Sequence, residues 1–507
     1  MPDSTKVSLL DQIGLSDGLS RGAVGLLVLA LVASVGSIET ASAILAASKA
    51  IVVDRFDFVF IALANLAIIV VVLAALHPAG ARRLGAEDER PEFSRGAWIA
   101  MLFSAGLASG LLYWAAAEPI LHMQSNPLLS ANPEPGEASR LAMQITVMHW
   151  GIHGWAMYVV VALVLGIQSY RHGQPLRFRI VLLPILGETW THRWPGRLVD
   201  LLALFGTICG VATSIGLSAA SMNATLSSLF PMSVSIFNQV VIIASVSMLG
   251  VFSALSGVDR GIRWLSSLNV WVSFGLALAF LVLGPTAEVL SLIGRTFVDY
   301  VVEVIPLGLY RGATPEARSW QGDWTVFYWA WWLAWAPFVS LFIARISRGR
   351  TIREFVVTVM FLPTAITLVW MAIFGGTAIV QEQLIPGSIS DAVNIDYSLG
   401  IVAVIQGLGY PGLVLPLLAV ASFLLFTWLI TSLDSATLVM CQLLGVEKNR
   451  AATVFWGTAL AVVAALLLVA GGLQALQAAS IVVGLPLAFV VAVLALGLVR
   501  DLLTDRV

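Results

Sequence analysis

One apolar stretch of the sequence, Trp324–Phe355, is unusually rich in tryptophan. Its first twenty residues are almost wholly apolar, which is long enough to cross a bilayer as one helix. Tryptophans of membrane spans usually lie at the two interfaces, but here five run well into the span within twelve residues. Helical spacing places most of them on or beside one face. Such a face can hold a quaternary ammonium ion over its rings at ~0.5–2 kcal/mol per ring, and dense ring packing between helices is the alternative. The tryptophans are Trp324, Trp329, Trp331, Trp332 and Trp335.

A second aromatic segment, His149–Tyr158, favours the cation-binding interpretation. Its sequence HWGIHGWAMY carries Trp150, Trp155 and Tyr158 at spacings of five and three, which places the last two on adjacent helical turns. Two histidines stand at i and i+4 in the same segment. Without a third ligand at hand, they predict hydrogen bonds between helices rather than a metal site.

Oxygen ligands suited to a sodium ion occur in two other segments. The run 427–440 places Thr431, Ser432 and Asp434 inside an otherwise apolar span, where an aspartate is a functional candidate. The segment Ser104–Trp114, SAGLASGLLYW, is broken by small residues. This predicts either an interrupted helix whose backbone can approach a ligand or close packing between helices. Glu118, at the end of the same span, is interpreted as structural, and Asp434 as bracing its helix.

The composition requires a protein embedded in a membrane. Of the 507 residues, 59% are hydrophobic and 11% are charged, with a mean hydropathy of +0.93, whereas soluble proteins carry about 25% charged residues. The sequence shows no nucleotide-binding loop, which argues against an ATP-driven pump, and no basic block that would indicate nucleic acid. The two cysteines lie in apolar runs and are predicted to be buried small hydrophobes. No cleaved signal segment is expected.

Hydrophobic runs predict twelve membrane spans. Between the seventh and eighth, Glu288–Leu309 mixes charges with apolar residues at helical spacing and predicts an amphipathic helix on the outer surface. The segment Asp396–Gln406 predicts a similar short element. All but six of the 27 Lys and Arg residues fall in segments that are cytoplasmic if both termini are, which favours that orientation. The predicted spans are 22–47, 57–77, 96–117, 142–168, 198–222, 234–254, 265–284, 323–344, 355–375, 412–440, 451–471 and 476–499.

Both aromatic segments closely resemble the signature segments of the betaine/choline/carnitine transporter family, and the resemblance extends from about Phe93 to the end of the chain. It implies an all-α polytopic membrane protein with twelve transmembrane helices. In that fold, two inverted five-helix repeats of the LeuT type follow two extra helices. The implied divisions are 1–92 for the N-terminal tail and two peripheral helices, 93–284 for the first repeat, 285–322 for the amphipathic helix and loop, and 323–507 for the second repeat and C-terminal tail.

This resemblance implies a substrate site walled by aromatic rings. The family's glycine-rich break matches Gly106 and Gly110, but Ala108 replaces the usual middle glycine, and this departure bears on substrate choice. Choline-specific members carry an aspartate where Gly110 stands. The absence of this aspartate favours a zwitterionic substrate, whose own carboxylate balances its quaternary ammonium group. The implied central aromatic box is Trp150, Trp155, Tyr158 and Trp332. Trp329, Trp331 and Trp335 are implied to line the pathway beside it.

The resemblance also implies one sodium site between two helices of the bundle. Two hydroxyls of the tenth span match family positions, and backbone carbonyls of the third and tenth spans would complete the site. A second sodium site is disfavoured because Val211 stands where the family has the partner of Thr207. Sodium-independent exchange is disfavoured because Ser214 and Val339 stand where exchangers carry arginine or methionine. The implied sodium ligands are Ser104, Leu107, Trp428, Thr431 and Ser432.

The sequence therefore predicts a secondary transporter rather than an enzyme. It would take up a small zwitterionic quaternary ammonium compound, first of all glycine betaine, with sodium by alternating access. Proton-coupled or exchange transport of dimethylsulfoniopropionate, choline, carnitine or ectoine is the alternative. An enzyme would need clustered acid–base or metal groups, and the intramembrane acids are scattered. We expect no cofactor beyond the coupling ion, a homotrimer by family resemblance, the bacterial inner membrane, and constitutive uptake because the terminal tails are short.

Overall fold

The computed structural model of the chain describes residues 8–106, 110–134, 136–256 and 259–506. These residues are almost entirely helical, and no β-strand occurs among them. Nine helices in the described part are long and apolar enough to cross a membrane. Helices suit that environment because each backbone N–H and C=O finds its partner within the segment. The prediction of an all-α polytopic membrane protein is confirmed.

The first two predicted spans, 22–47 and 57–77, are divided differently in the structure. Helix α1 is Gly18–Gly36 and helix α2 is Ile38–Leu76, with the break at Ser37 (φ −154°, ψ 86°). The predicted loop between the spans is therefore wrong, because α2 runs straight through it. One charged residue of this predicted loop and one at the start of the following span are each paired on the helix with a side chain from a distant segment. The pairs are Lys49–Asp323 (2.5 Å) and Asp57–Arg311 (2.8 Å).

The third and fourth predicted spans each consist of two helices. The third is α3 followed by α4, and the residues between them, 107–109, lie outside the described part. The fourth is α5 followed by α6, which separate at Gly151 with a non-helical backbone (φ −97°, ψ −148°). The helices of this half are α3 Arg95–Gly106, α4 Gly110–Gln124, α5 Glu137–Trp150, α6 Ile152–Gly166, α7 Trp194–Leu229, α8 Ile236–Ser256 and α9 Asp259–Leu283, with a short helix Leu183–Thr191 before α7.

The second half begins with the predicted amphipathic helix. It forms α10, which exposes apolar side chains on one side and buries Tyr300 and Val304 on the other. The break between the last two predicted spans is confirmed inside α15, at Gly471 and Gly472. Gly472 has φ +57°, a conformation that glycine adopts without steric cost. The helices are α10 Thr286–Leu309, α11 Pro315–Gln321, α12 Phe327–Ile346, α13 Ile352–Leu384, α14 Pro411–Leu443 and α15 Arg450–Leu503, with short helices Ser390–Ile395 and Gly400–Gln406 before α14.

Helix α12 lies at the centre of the bundle. It packs against α6, α7 and α15, while α4 packs against α5 and α13. Phe327, Tyr328 and Trp329 at the start of α12 are fully buried. The tryptophan-rich segment is therefore surrounded by protein over its first turns, and its rings meet residues of α4, α5 and α6.

The loop that follows α12 is joined to the loop between α2 and α3. Backbone hydrogen bonds link Leu84 with Arg350 and with Gly349, each at 2.8 Å. At the edge of this contact the guanidinium of Arg345 donates to both carboxylate oxygens of Glu92, at 2.7 and 2.9 Å. The two loops therefore form one joined surface at the end of α12.

Candidate functional site

Four aromatic side chains from α5, α6 and α12 gather into the predicted box. The ring centroid of Trp332 lies 4.9 Å from that of Tyr158, 5.5 Å from that of Trp155 and 6.4 Å from that of Trp150. Trp155 and Tyr158 meet edge to face at 5.6 Å. Three of the rings are buried, and Trp332 is partly exposed. Rings that meet at steep angles turn π faces in several directions, which suits a rounded cation such as trimethylammonium.

A second wall extends from the box along α12. The indole N–H groups of Trp331 and Trp335 donate to the same backbone carbonyl, that of Gly210 in α7, at 3.1 and 2.9 Å. Trp331 also stacks on Phe327, with an interplanar angle of 12°. One carbonyl of α7 thus holds two of the tryptophans that were predicted to line the pathway.

Trp329 lies apart from these rings. It is fully buried and packs against His153 and His149, with ring centroids 5.2 and 6.1 Å away. The structure shows no ring contact between Trp329 and the box in the part of the chain that it describes. Trp329 and Trp332 are three residues apart on α12 and both face α5 and α6, but the ring of Trp329 packs against the two histidines instead of the box.

Three glycines on the facing helices make room for three of the tryptophans. A Cβ atom on Gly154 would lie 2.3 Å from the Trp332 ring, and one on Gly210 would lie 2.9 Å from Cδ1 of Trp335. A Cβ atom on Gly110, at the start of α4, would lie 2.7 Å from Cη2 of Trp331. These distances are shorter than van der Waals contact, so any side chain at these positions would have to displace an indole. Ala108, also predicted at the site, lies outside the described residues.

The predicted sodium ligands are described only in part. Leu107 and the side chain of Ser104 lie outside the described residues. On α14, the Thr431 hydroxyl donates to the carbonyls of Thr427 and Trp428 at 3.0 and 3.1 Å, and Ser432 beside it is partly buried. Because the hydroxyl hydrogen is used inside the helix, the oxygen lone pairs of Thr431 stay available to a cation.

A buried polar cluster next to the box was missed by the sequence analysis. Glu118, interpreted there as structural, is fully buried, and its Oε2 accepts hydrogen bonds from the indole of Trp150 at 2.9 Å and the hydroxyl of Tyr328 at 2.5 Å. Its Oε1 lies 2.7 Å from Nδ1 of His149 and 3.5 Å from Nε2 of His122. An acid followed by proline inside a helix was the available signal, but sequence spacing could not show that α5 and α12 meet there.

The same cluster gathers three possible metal ligands, although it contains only one of the two histidines of α5 and α6, His149. Glu118, His122 and His149 offer ligand atoms within 4.8 Å of one another. Two ligands of one tetrahedral zinc ion are about 3.3 Å apart, since the bonds are about 2.0–2.1 Å long. The 2.7 Å between Glu118 and His149 is instead a hydrogen-bond distance, and the geometry defines a hydrogen-bonded cluster. His153 likewise contacts Asn65 of α2, which agrees with hydrogen bonding between helices.

Asp434 braces α14 against α8, as the sequence predicted. Its Oδ2 accepts a hydrogen bond from the hydroxyl of Ser253 at 3.2 Å. The carboxylate is buried, and a buried carboxylate is stabilised by such donors.

The described part of the chain is an all-helical membrane bundle that gathers aromatic rings around its central helix, an arrangement that suits a transporter of small organic cations. The chain belongs to the betaine/carnitine/choline family of transporters, whose family model matches residues 19–507. It is therefore a membrane transporter of that type and not an enzyme.

Curated relatives agree with this family over most of their length. The chain is 38% identical to glycine betaine transporter 1 of Vibrio parahaemolyticus over 498 residues, which cover 96% of this chain and 93% of the relative. It is 36% identical to the glycine betaine transporter OpuD of Bacillus subtilis over 90% of this chain and 89% of the relative. A glycine betaine/proline/choline/ectoine transporter of Vibrio parahaemolyticus is 37% identical over 90% of this chain and 81% of the relative.

Proposed function

We propose that this chain takes up glycine betaine together with sodium by alternating access. The observation that carries the proposal is the box of Trp150, Trp155, Tyr158 and Trp332, whose rings lie within 6.4 Å of Trp332. Ring faces bind a quaternary ammonium by cation–π attraction without the hydrogen bonds that such an ion cannot make. Two relatives named glycine betaine transporters support the same substrate.

A zwitterion fits the surroundings of the box better than a simple cation. The indole N–H of Trp155 has no hydrogen-bond partner in the described part of the chain, and it supplies a donor for the substrate carboxylate. Position 110, where an acid would accompany a cationic substrate, is a glycine whose Cβ space is filled by Trp331. The absence of an acid at this position favours a substrate that carries its own negative charge.

Sodium is the proposed coupling ion, with no other cofactor. Thr431 and Ser432 offer hydroxyl oxygens on α14, and the carbonyl of Trp428 lies one turn away. Oxygens of this kind suit a hard cation. Ser104 and Leu107 would complete the site from the third span. Since Val211, which stands where the family has the partner of Thr207, has no side-chain oxygen, one sodium site is proposed rather than two.

The finer architecture is proposed on the family relationship. Twelve transmembrane helices would form two inverted five-helix repeats of the LeuT type, 93–284 and 323–507, after two peripheral helices in 1–92. The segment 285–322 would lie on the outer surface, and both termini would be cytoplasmic in the bacterial inner membrane. A homotrimer is the proposed assembly.

The test is uptake of labelled glycine betaine into proteoliposomes, with and without an inward sodium gradient, beside a Trp332→Ala variant. Sodium-driven uptake that the variant loses would establish substrate class, coupling ion and site together. Uptake driven by a proton gradient, or only by counter-substrate inside the vesicles, would replace sodium coupling by the alternative. Competition with choline, proline and ectoine tests whether this chain has the broader substrate range for which one relative is named. An absence of betaine uptake would reject the substrate.

A further inference from the structure

Glu118 of α4 is a fully buried carboxylate whose oxygens are directed at groups of α5 and α12. Trp150 and Tyr328 contact one oxygen, and His149 contacts the other. A buried carboxylate is tolerated only when such donors replace its water. Three helices therefore meet at one side chain, immediately beside the aromatic box.

This carboxylate reaches one tryptophan of the box directly. The indole N–H of Trp150 donates to it at 2.9 Å. The terminal torsion of a tryptophan side chain is broad, so the hydrogen bond at the ring nitrogen decides which way the π face turns. A carboxylate acceptor forms a charge-assisted bond, which is roughly twice as strong as a neutral one.

A second tryptophan of the box is reached through His149. The indole of Trp332 donates to the backbone carbonyl of His149 at 2.9 Å. The ring of the same histidine bonds to Glu118 on one side and to the Thr325 hydroxyl on the other, at 3.1 Å, and stacks on Tyr328 at 4.5 Å. When the His149 side chain is fixed, the end of α5 next to the break at Gly151 is fixed as well. The backbone carbonyl of His149, which orients Trp332, is then held in place.

We propose that Glu118 is the positioning residue of the aromatic box. By setting the orientation of Trp150, and through His149 that of Trp332, it determines how tightly the box binds an onium ion. The proposal rests on the proposed function of the box as the onium site. It does not place Glu118 in contact with the substrate, and its effect passes through the two indoles.

Replacement of Glu118 by methionine removes all of its hydrogen-bond acceptors, whereas replacement by glutamine removes only its charge and one acceptor. Glu118→Met keeps the side-chain length but removes every acceptor, so the dissociation constant for glycine betaine, measured by intrinsic fluorescence on the full-length protein, should rise about tenfold or more. Glu118→Gln keeps one acceptor oxygen for Trp150, while His149 can change tautomer to meet the amide. We expect a rise of only about threefold.

Glu382 offers a matched control. It is also buried, and its carboxylate accepts backbone N–H groups of Gly387 and Ile389 at 2.8 and 2.9 Å in the turn after α13. Glu382→Met should lower the melting temperature but leave the dissociation constant within about twofold. A merely structural Glu118 would behave in the same way, with a lower melting temperature and unchanged affinity, and that result would overturn the proposal.

A readout without ligand separates this proposal from the proposed function. The ultraviolet resonance Raman band that reports hydrogen bonding of an indole N–H can be isolated for Trp150 as the difference between wild type and Trp150→Phe. It should shift in Glu118→Met and to a smaller extent in Glu118→Gln. If wild type binds no onium ion but the band shifts in the Glu118 variants, the proposed function is rejected and the positioning role of Glu118 is supported. An unshifted band in a folded Glu118→Gln protein would reject the positioning role even if betaine binds.

Discussion

The indole of Trp332 lies directly against the backbone of Gly154, where a Cβ atom would be 2.3 Å from the ring. The two residues belong to α12 and α6, and their contact closes one side of the aromatic box. The glycine is required by the close approach itself, since any side chain would push the indole away from Trp155 and Tyr158.

Gly154→Ala should therefore impair substrate binding although alanine favours a helix by about 1 kcal/mol over glycine. We expect the dissociation constant for glycine betaine to rise about tenfold or more, because a displaced Trp332 loses its cation–π contact. Ligand titration by intrinsic fluorescence measures this. Gly275→Ala in α9 is the control, since nothing lies within 4 Å of its Cβ position. Equal affinities in the two variants would contradict the packing argument.

The contact between Gly110 and Trp331 predicts a rescue. Gly110→Ala places a methyl group 2.7 Å from Cη2 of Trp331, and overpacking of this kind costs about 1–3 kcal/mol. We expect lower uptake in the single variant and partial recovery in Gly110→Ala with Trp331→Phe, because phenylalanine lacks the distal ring atom. Uptake by the single variants and the double variant gives the coupling between the sites. Strictly additive losses would show that the two positions do not touch.

The sequence was sufficient to predict the rings of the box but not the groups that hold them. Trp150, Trp155, Tyr158 and Trp332 could be assigned because two local segments resemble family signatures, and the structure brings all four together. The role of Glu118 depends on three helices that meet at residues far apart in the chain, which no local spacing reveals. From the sequence alone, a single acidic residue beside a proline is interpreted as a residue at a helix end, because its partners on other helices are unknown.

The predicted bounds of the first two spans were wrong for a related reason. The sequence divided 22–77 at a charged stretch, because unpaired charges are costly inside a span. In the structure Lys49 of this stretch and Asp57 directly after it are paired with Asp323 and Arg311, and the helix continues through them. The break between Gly471 and Gly472 was located correctly, since a glycine pair is a local signal for an interrupted helix.

The proposed sodium ligands on α14 can be tested by removing one oxygen at a time. In Thr431→Val and Ser432→Ala, the sodium concentration for half-maximal uptake should rise about tenfold or more, since even second-shell changes cost 10–100-fold in ion affinity. Uptake is measured against sodium at saturating betaine. The control is Thr437→Val on the same helix, whose hydroxyl donates to Leu433 at 2.7 Å. An unchanged sodium dependence in both test variants would remove α14 from the proposed site.

The ion pair between Glu92 and Arg345 predicts a pH-dependent contribution to stability. The hydrogen bond from Arg345 holds the pKa of the Glu92 carboxyl below its ordinary value of 4.5, and the charges of Arg345 and Arg348 act in the same direction. Because the folded-state pKa is the lower one, the stabilisation is present above about pH 4.5 and is lost as the pH falls through the folded value. Both side chains are more than a third exposed, so solvent screening limits the effect to about 1 kcal/mol or less.

Glu92→Gln should therefore melt slightly below wild type at pH 7, and the difference should shrink as the pH falls below about 4.5 and the wild-type carboxyl becomes protonated. Thermal unfolding of the purified protein across this range measures the difference. Glu188→Gln is the control, because the structure shows no ion pair for this exposed glutamate among the described residues, and it should follow wild type throughout. If the Glu92→Gln difference did not shrink at any pH below 4.5 at which the protein stays folded, the pairing with Arg345 would not be its cause.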